Sequence, residues 1–157
     1  MWYYKLVFLG LVLTTISCRD RAINIEVWGN GKPKKKWEIH IGKTFETNFY
    51  ENGNIESLGL LIDDLQVKEW RFYHENGTLR KIVSFRQGKP IGISKTYYDD
   101  GIQKSIEEYD DYGQKTGQAI YYSKGGRISQ KGKYDSGFKV DQWSYYNASS
   151  QVEEEAY

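Results

Sequence analysis

One short pattern, an aromatic residue followed by a polar turn and a glycine, returns along this chain at a constant interval. The first aromatic residue of each copy is Phe49, Tyr73, Tyr97, Tyr121 or Tyr145, so successive copies stand 24 residues apart. Four glycines keep the same interval: Gly53, Gly77, Gly101 and Gly125. A fixed period of this length is typical of a repeat array, and it constrains the fold more than any other feature of the sequence.

The segments on both sides of each glycine have the composition of β-strands. An aromatic-rich segment such as Trp70–Tyr73 leads into the turn, and a second segment such as Leu79–Phe85 leaves it. Two strands of ordinary length and two turns account for the 24-residue period. The sequence therefore predicts an all-β fold, an extended antiparallel meander of successive β-hairpins in which each hairpin depends on its neighbours for stability.

The chain divides into three predicted parts. Residues 1–17 contain one lysine and the apolar run Leu6–Leu13, which predicts a signal peptide because the run is too short to span a bilayer. Residues 18–24 are the predicted tether. Residues 25–157 are the predicted repeat domain, with about five to six repeats of 24 residues.

Cys18 is the only cysteine of the chain, and it follows Ser17 just after the apolar run. This stretch resembles a bacterial lipobox, and the resemblance implies cleavage before Cys18 and diacylation of its thiol. The alternative is an ordinary secretory peptide with a cysteine nearby by chance. The lipoprotein interpretation predicts a lipid-anchored protein of the bacterial cell envelope, at the periplasmic face or the cell surface.

The charge balance argues against a nucleic-acid partner. The chain has 22 basic and 21 acidic residues, and removal of the leader with Lys5 leaves 21 of each. A neutral chain has no overall attraction to polyanions. Four lysines on the first predicted turn (Lys32, Lys34, Lys35 and Lys36) either contact lipid phosphates or, as we prefer, form a solvated hairpin tip.

The two ends of the array deviate from the pattern, as terminal repeats commonly do. A turn at Gly31 predicts a degenerate first repeat, 22 residues ahead of Gly53. The segment Val152–Tyr157 predicts a closing strand. Its acidic run, Glu153–Glu155, would discourage edge-to-edge pairing with another molecule.

No residue pattern predicts catalysis. His74 stands where sister repeats have Tyr50, Tyr98, Tyr122 and Tyr146, so it is expected to be a structural substitute for an aromatic residue. The acid pairs all fall in predicted turns, where aspartate bonds its own backbone: Asp63–Asp64, Asp99–Asp100 and Asp110–Asp111. No converging ligands predict a metal, and no serine or cysteine has a histidine partner. We expect no catalytic residues, no metal, no cofactor and no enzyme activity.

The repeat aromatics are the candidate binding surface, because exposed aromatic rows mark contact surfaces. They are Tyr50, Trp70, Tyr73, Tyr97, Tyr98, Tyr121, Tyr122, Trp143 and Tyr145. The alternative is that the sheet buries one aromatic row and leaves the tyrosine hydroxyls in water. The sequence supports both interpretations equally.

Three segments of the Tyr-x-x-x-Gly type, starting at Tyr73, Tyr97 and Tyr121, resemble the MORN repeat variant, a family whose members often carry a YwqK-type antitoxin label. The links Gly88–Gly92 and Gly113–Gly117, and the strand residues Trp70 and Trp143, fit the same family. The resemblance covers residues 25–157 and implies a row of hairpins in a curved sheet. It also implies a scaffold that contacts proteins or lipids.

Together these features predict a non-enzymatic, membrane-tethered repeat module for protein binding or scaffolding, with a protein partner and a membrane contact through Cys18. An immunity-type or antitoxin-type neutraliser of a partner protein is one alternative. A protein that binds or hydrolyses an envelope polymer is the other.

Overall fold

The computed structural model describes residues 21–40, 42–147 and 152–157. Its twelve strands form a single antiparallel sheet in which neighbours in sequence are neighbours in space. The strands are β1 (Arg21–Val27), β2 (Pro33–His40), β3 (Lys43–Phe49), β4 (Ile55–Ile62), β5 (Leu65–Tyr73), β6 (Leu79–Arg86), β7 (Lys89–Tyr97), β8 (Gln103–Tyr109), β9 (Lys115–Tyr122), β10 (Ile128–Asp135), β11 (Phe138–Tyr146) and β12 (Val152–Ala156). The sheet is open and curled, and the predicted all-β meander of hairpins is confirmed.

The sheet begins four residues earlier than predicted. β1 starts at Arg21, and its backbone pairs with β2 from Arg21 opposite His40 to Val27 opposite Pro33. Residues 21–24, predicted as tether, therefore belong to the first hairpin. The alternation that begins at Ile23 is long enough to pair along its whole length. Residues 1–20, with the predicted leader and Cys18, lie outside the described residues.

Hairpin turns lie along one edge of the sheet, called here the hairpin edge, and they share one hydrogen-bond pattern. The N–H of the first turn residue donates to the carbonyl of the residue four positions later. The carbonyl of the first turn residue accepts a hydrogen bond from the N–H of the residue three positions later. The first residues are Trp28, Tyr50, His74, Tyr98 and Ser123. The glycines three residues later all have positive φ: Gly31, Gly53, Gly77, Gly101 and Gly126. Glycine adopts this conformation without steric cost.

The opposite edge, the link edge, carries the connections between hairpins. Three described connections have two residues, both at positive φ: Asp63–Asp64, Gln87–Gly88 and Ser136–Gly137. This conformation gives the tight hairpin turn whose twist matches the strands. The glycine-free pair Asp63–Asp64 forms the same tight turn, because aspartate tolerates the left-handed region better than most residues. The connection from β8 to β9 is longer and runs from Asp110 to Gln114.

That longer connection corrects the predicted period. Tyr122, not Tyr121, ends β9 where Tyr73 and Tyr97 end β5 and β7. Positive φ accordingly belongs to Gly126, and the predicted turn glycine Gly125 stands one position before it in the same turn. The connection from β8 to β9 has three residues more than the connection from β6 to β7, whereas β8 and β9 are each one residue shorter than β6 and β7. The repeat from Tyr97 to Tyr122 therefore has 25 residues. The same shift places Tyr146, not Tyr145, at the end of β11.

Residues that pair across strands point to the same side of a sheet, which divides the side chains between two faces. The packed face carries a row in which Trp70 lies opposite Val83, Ser94 opposite Glu107, and Ala119 opposite Gly132. Trp143 continues this row on β11. The opposite side, with Phe45 opposite Leu60 and Thr47 opposite Leu58, is called the open face.

The two tryptophans of the row form the centres of packing. Trp70 covers Gly59 and Trp143 covers Gly132, and a Cβ atom built on either glycine would stand 2.2 Å from the indole. Each indole Nε1–H also donates to the carbonyl of the residue after its glycine, Leu60 or Lys133, at 3.1 Å in both cases. Glycine is required here because the ring takes the space of a side chain.

Candidate functional site

Two of the nine predicted surface aromatics are buried and cannot form a contact surface. Trp70 is 1% exposed and Trp143 is 0% exposed. The other seven residues of that set are only partly buried. The interpretation in which the sheet buries one aromatic row therefore holds for the tryptophans.

The turn aromatics join successive repeats. The Tyr50 hydroxyl donates to the Tyr73 carbonyl at 2.8 Å, and Tyr98 donates to the Tyr122 carbonyl at 2.8 Å. His74 Nε2 lies 3.0 Å from the Tyr97 carbonyl in the same place. The prediction that His74 substitutes for an aromatic residue is confirmed by this shared geometry.

A second ladder along the hairpin edge escaped the sequence reasoning. Asn30, Asn52 and Asn76 each donate from Nδ2 to a backbone carbonyl of the next turn, at 3.1, 2.9 and 2.8 Å. The signal was present as an asparagine before each of the first three turn glycines. Asp100 occupies this position in the fourth turn, and its Oδ1 only accepts a hydrogen bond from the Ile102 N–H. We call this ladder the asparagine clasp.

Beside Trp143 the packed face carries a cluster of rings around one ammonium group. Lys139 Nζ lies 4.2 Å from the centre of the Trp143 ring and donates to the Tyr145 hydroxyl at 2.8 Å. The Tyr145 and Tyr157 hydroxyls are 2.9 Å apart, and Tyr157 donates to Glu155. The lysine fills the space between these rings, so the cluster packs β12 against the array.

Between the two tryptophans the packed face is polar. Ser94 and Ala119 take the row positions of the indoles, and the buried Glu107 lies between them. The Tyr121 hydroxyl donates to Glu107 Oε1 at 2.5 Å, and Lys115 forms an ion pair with the same oxygen. The Tyr134 hydroxyl lies 3.4 Å from that of Tyr121. We call this group the polar cluster. Its members are Glu107, Lys115, Tyr121, Tyr134, Lys81, Ser94, Thr96 and Ser105.

Charge pairing determines the protonation of this cluster. Burial acts to raise the pKa of Glu107, but the hydrogen bonds from Lys115 and Tyr121 outweigh it and lower the pKa below the ordinary value. Burial likewise acts to lower the pKa of Lys115, but the bond to Glu107 raises it. Burial is the main cause that raises the pKa of Tyr121, and the hydrogen bond to Glu107 raises it further. The cluster therefore holds a carboxylate, an ammonium group and a neutral phenol.

Two groups of the polar cluster are left without a direct partner. Lys81 is half-buried, burial lowers its pKa, and no carboxylate among the described residues lies within ion-pair distance of it. The Ser94 hydroxyl is fully buried and makes no hydrogen bond. Such groups are uncommon because each carries a desolvation cost.

The open face carries an apolar depression of about 390 Å³ over β3, β4 and β5. Phe45, Leu58 and Leu60 line it, with Lys43 and Lys68 also at its wall. Phe45 is 50% exposed, and Ile62 and Leu65 extend the exposed apolar surface toward the link edge. Sequence reasoning missed this patch because it followed the aromatic repeat and not the leucines.

A second depression lies at the equivalent place over β9, β10 and β11. Every equivalent residue is 73 positions further on: Gln118 for Phe45, Lys131 for Leu58, Lys133 for Leu60. The backbone shape is thus repeated with polar walls. The first depression therefore has the more apolar wall of the two.

The paired acids lie far apart along the two edges. Asp99–Asp100 is at the hairpin edge, whereas Asp63–Asp64 and Asp110–Asp111 are at the link edge, four strand spacings or roughly 19 Å from each other. Two carboxyl groups that cleave a glycosidic bond must stand about 5–10 Å apart.

Within residues 21–40, 42–147 and 152–157 no three metal-binding side chains converge.

The basic residues of the first hairpin are not a free cationic tip. Lys34 pairs with Glu26 at 3.0 Å and Lys35 with Glu46 at 3.3 Å. Lys36 pairs with Glu38, and Lys32 donates to the Asn52 carbonyl at 2.8 Å. The described part of the chain contains no helix long and apolar enough to cross a membrane.

Fold and site together define an array of clasped β-hairpins with one packed and one open face. Residues 66–87 match the family model of the MORN repeat variant. The matched segment spans most of β5, the turn at His74 and all of β6, which is one hairpin of the array. The match supports the repeat family that the sequence resembles. A search among curated proteins finds no match for this chain.

Proposed function

We propose that this protein is a non-enzymatic, membrane-tethered module of the bacterial cell envelope that binds another protein. The observation that carries the proposal is the apolar depression of the open face. Exposed apolar patches framed by charge are typical of protein contact sites. The repeats supply a rigid support for this patch, because the packed face and the asparagine clasp hold neighbouring hairpins together.

The chemistry of the depression selects the kind of partner. Phe45, Leu58 and Leu60 form an apolar wall suited to one bulky aliphatic or aromatic side chain. Lys43 and Lys68 form no ion pair with any described residue, and they stand beside this wall. The two carboxylates at the same depression are already paired, Glu46 with Lys35 and Glu69 with Arg71. A partner segment with an acidic residue next to an apolar anchor would satisfy both features.

Affinity capture from the native envelope tests this site with a matched control. Phe45→Lys should abolish capture of the partner, because it places a charge in the apolar wall. Gln118→Lys makes the same change at the equivalent place in the polar depression and should leave capture intact. Capture of the same partner by wild type and Phe45→Lys alike would contradict the proposal.

The tether is tested separately by incorporation of radiolabelled palmitate. Wild-type protein should take up label and partition with membranes, whereas Cys18→Ala should do neither. Absence of label in the wild type would end the lipid-anchor part of the proposal. The binding site on the open face would be unaffected by that outcome.

The neutraliser interpretation is a special case of the same proposal, in which the captured partner is an exported toxin. The hydrolase interpretation is disfavoured by the separation of the acid pairs at the two edges.

A further inference from the structure

We infer that the polar cluster on the packed face binds a carboxylate group of an acidic saccharide, with Lys81 as the residue that pairs with it. This site is separate from the apolar depression, which lies on the other face. The inference therefore does not depend on the protein partner proposed above.

The charge count of the cluster favours an added monoanion. Lys81 and Lys115 supply two ammonium groups, whereas Glu107 is the one carboxylate facing them, and it is already bonded to Lys115 and Tyr121. Arg80, the charged neighbour of Lys81 along β6, adds further positive charge. A half-buried ammonium group without a counter-ion is costly, and a bound monoanion would offset that cost.

The neutral groups around Lys81 favour an oxygen-rich ligand. Thr96 lies opposite Lys81, and its hydroxyl is 2.7 Å from that of Ser105 on the next strand. The buried Ser94 hydroxyl, on the same face, has no partner at all. Hydroxyl donors next to an ammonium group are suited to the two oxygens of a carboxylate.

The cluster already contains one carboxylate held in the way we propose. Glu107 is bound by a lysine ammonium group and a tyrosine hydroxyl, Lys115 and Tyr121. Lys81, with the Thr96 hydroxyl opposite it, offers an ammonium group beside a hydroxyl in a similar way, two strands from Glu107. A ligand carboxylate would therefore meet the same chemistry that Glu107 meets.

The rings at the ends of this row favour a saccharide over a small free acid. Adjacent strands place Phe72, Lys81, Thr96, Ser105 and Tyr121 side by side on the packed face. Each step is one strand spacing, about 4.8 Å, which is close to the length of one pyranose unit. Phe72 and Tyr121 are partly buried and offer ring surface on either side of Lys81, against which the apolar faces of sugar rings can pack.

Titration calorimetry on the full chain in non-ionic detergent tests the inference. The probes are the trimer of galacturonic acid, neutral cellotriose, acetate and inorganic phosphate. We expect saturable binding of the acidic trimer, weaker binding of acetate and none of cellotriose. Absence of binding by the acidic trimer, equal binding of cellotriose, or tighter binding of phosphate would each overturn the inference.

Variants assign the binding to Lys81. Lys81→Met keeps the apolar stem and should weaken binding of the trimer about tenfold, the effect of one charge-assisted hydrogen bond. Lys81→Arg keeps the charge and should retain binding, which shows that the site still folds. Lys95→Met, on the neighbouring strand but on the open face, is the control. Equal losses in Lys81→Met and Lys95→Met would contradict the inference.

Discussion

Trp70 and Trp143 each depend on a glycine, and this dependence can be measured residue by residue. Gly132→Ala should destabilise the protein by about 1–3 kcal/mol, because the new methyl group overlaps the Trp143 ring. Gly29→Ala is the control, since nothing lies within 4 Å of its added Cβ. Urea unfolding of both variants provides the comparison. Equal midpoints would show that the indole moves aside without cost.

The corrected position of the fourth turn glycine gives a second residue-scale prediction. Gly126→Ala should cost about 1–2 kcal/mol, because alanine is strained at φ 76. Gly125→Ala should cost little, since its added Cβ meets only Ser123 Oγ, at 3.8 Å. Thermal unfolding of the two neighbours distinguishes the turn geometries. A larger loss at Gly125 would restore the constant 24-residue period.

At the scale of the elements, the asparagine clasp ends at Asp100 because a carboxylate cannot donate a hydrogen bond. Asp100→Asn should extend the clasp to the next turn and stabilise the protein by about 1 kcal/mol, the typical net value of one hydrogen bond. Asn76→Asp makes the reverse change and should destabilise by a similar amount, because Asn76 then loses its bond to the Asp99 carbonyl. Urea midpoints that shift in the same direction for both variants would contradict this account.

The pairing of Glu107 across β8 and β9 predicts how stability depends on pH. Its pKa is lower in the folded state, so its ionised form contributes stability at pH values above the ordinary glutamate pKa. This contribution is lost as the pH falls through the lowered pKa. Glu107→Gln should therefore flatten the loss of stability on the acid side while lowering stability at pH 7, where Lys115 loses its ion-pair partner.

Urea midpoints at pH 7 and in the acid range measure that effect. Glu108→Gln is the control, because Glu108 is the exposed neighbour on the open face. If the urea midpoint falls as steeply with decreasing pH in Glu107→Gln as in wild type, Glu107 does not govern the pH dependence of stability.

For the whole molecule, the linear order of strands predicts that a destabilising substitution affects mainly the strands near it. Each strand pairs only with its neighbours in sequence, so the stability of the array is approximately a sum of hairpins and interfaces. Gly132→Ala should accelerate amide hydrogen exchange in β9 to β12 while β1 to β4 remain close to wild type. Gly59→Ala should accelerate exchange in β3 to β6, while β9 to β12 remain close to wild type. Uniform acceleration in either variant would indicate a single cooperative unit.

The ends of the array should also exchange faster than its centre. All described residues of β12 are exposed, whereas β6 contains the fully buried Val83. Amides of Val152–Ala156 are therefore expected to exchange well before those of Leu79–Arg86. Equal protection of the two strands would mean that β12 is held by more than its pairing with β11.

The sequence alone determined the architecture, because a repeat that contains two strands and a left-handed turn leaves few alternatives to a meander. The glycine after each aromatic pair located the hairpin edge, and the role of His74 followed from its alignment with Tyr50 and Tyr98. The one-residue slip after Tyr97 could not be read from the sequence, since Tyr121–Tyr122 and Gly125–Gly126 are doublets that fit either register. The strand pairing of β9 with β10 resolved it.

The candidate sites were decided only by the tertiary structure. Burial of Trp70 and Trp143 depends on Gly59 and Gly132 in the preceding strand, and nothing local to the tryptophans indicates that partner. The polar cluster likewise joins Lys81, Glu107 and Lys115 from three strands. Local pattern specifies strands and turns because those depend on neighbours in sequence. Which side chains meet across strands depends on register, and register is set by the connections between strands.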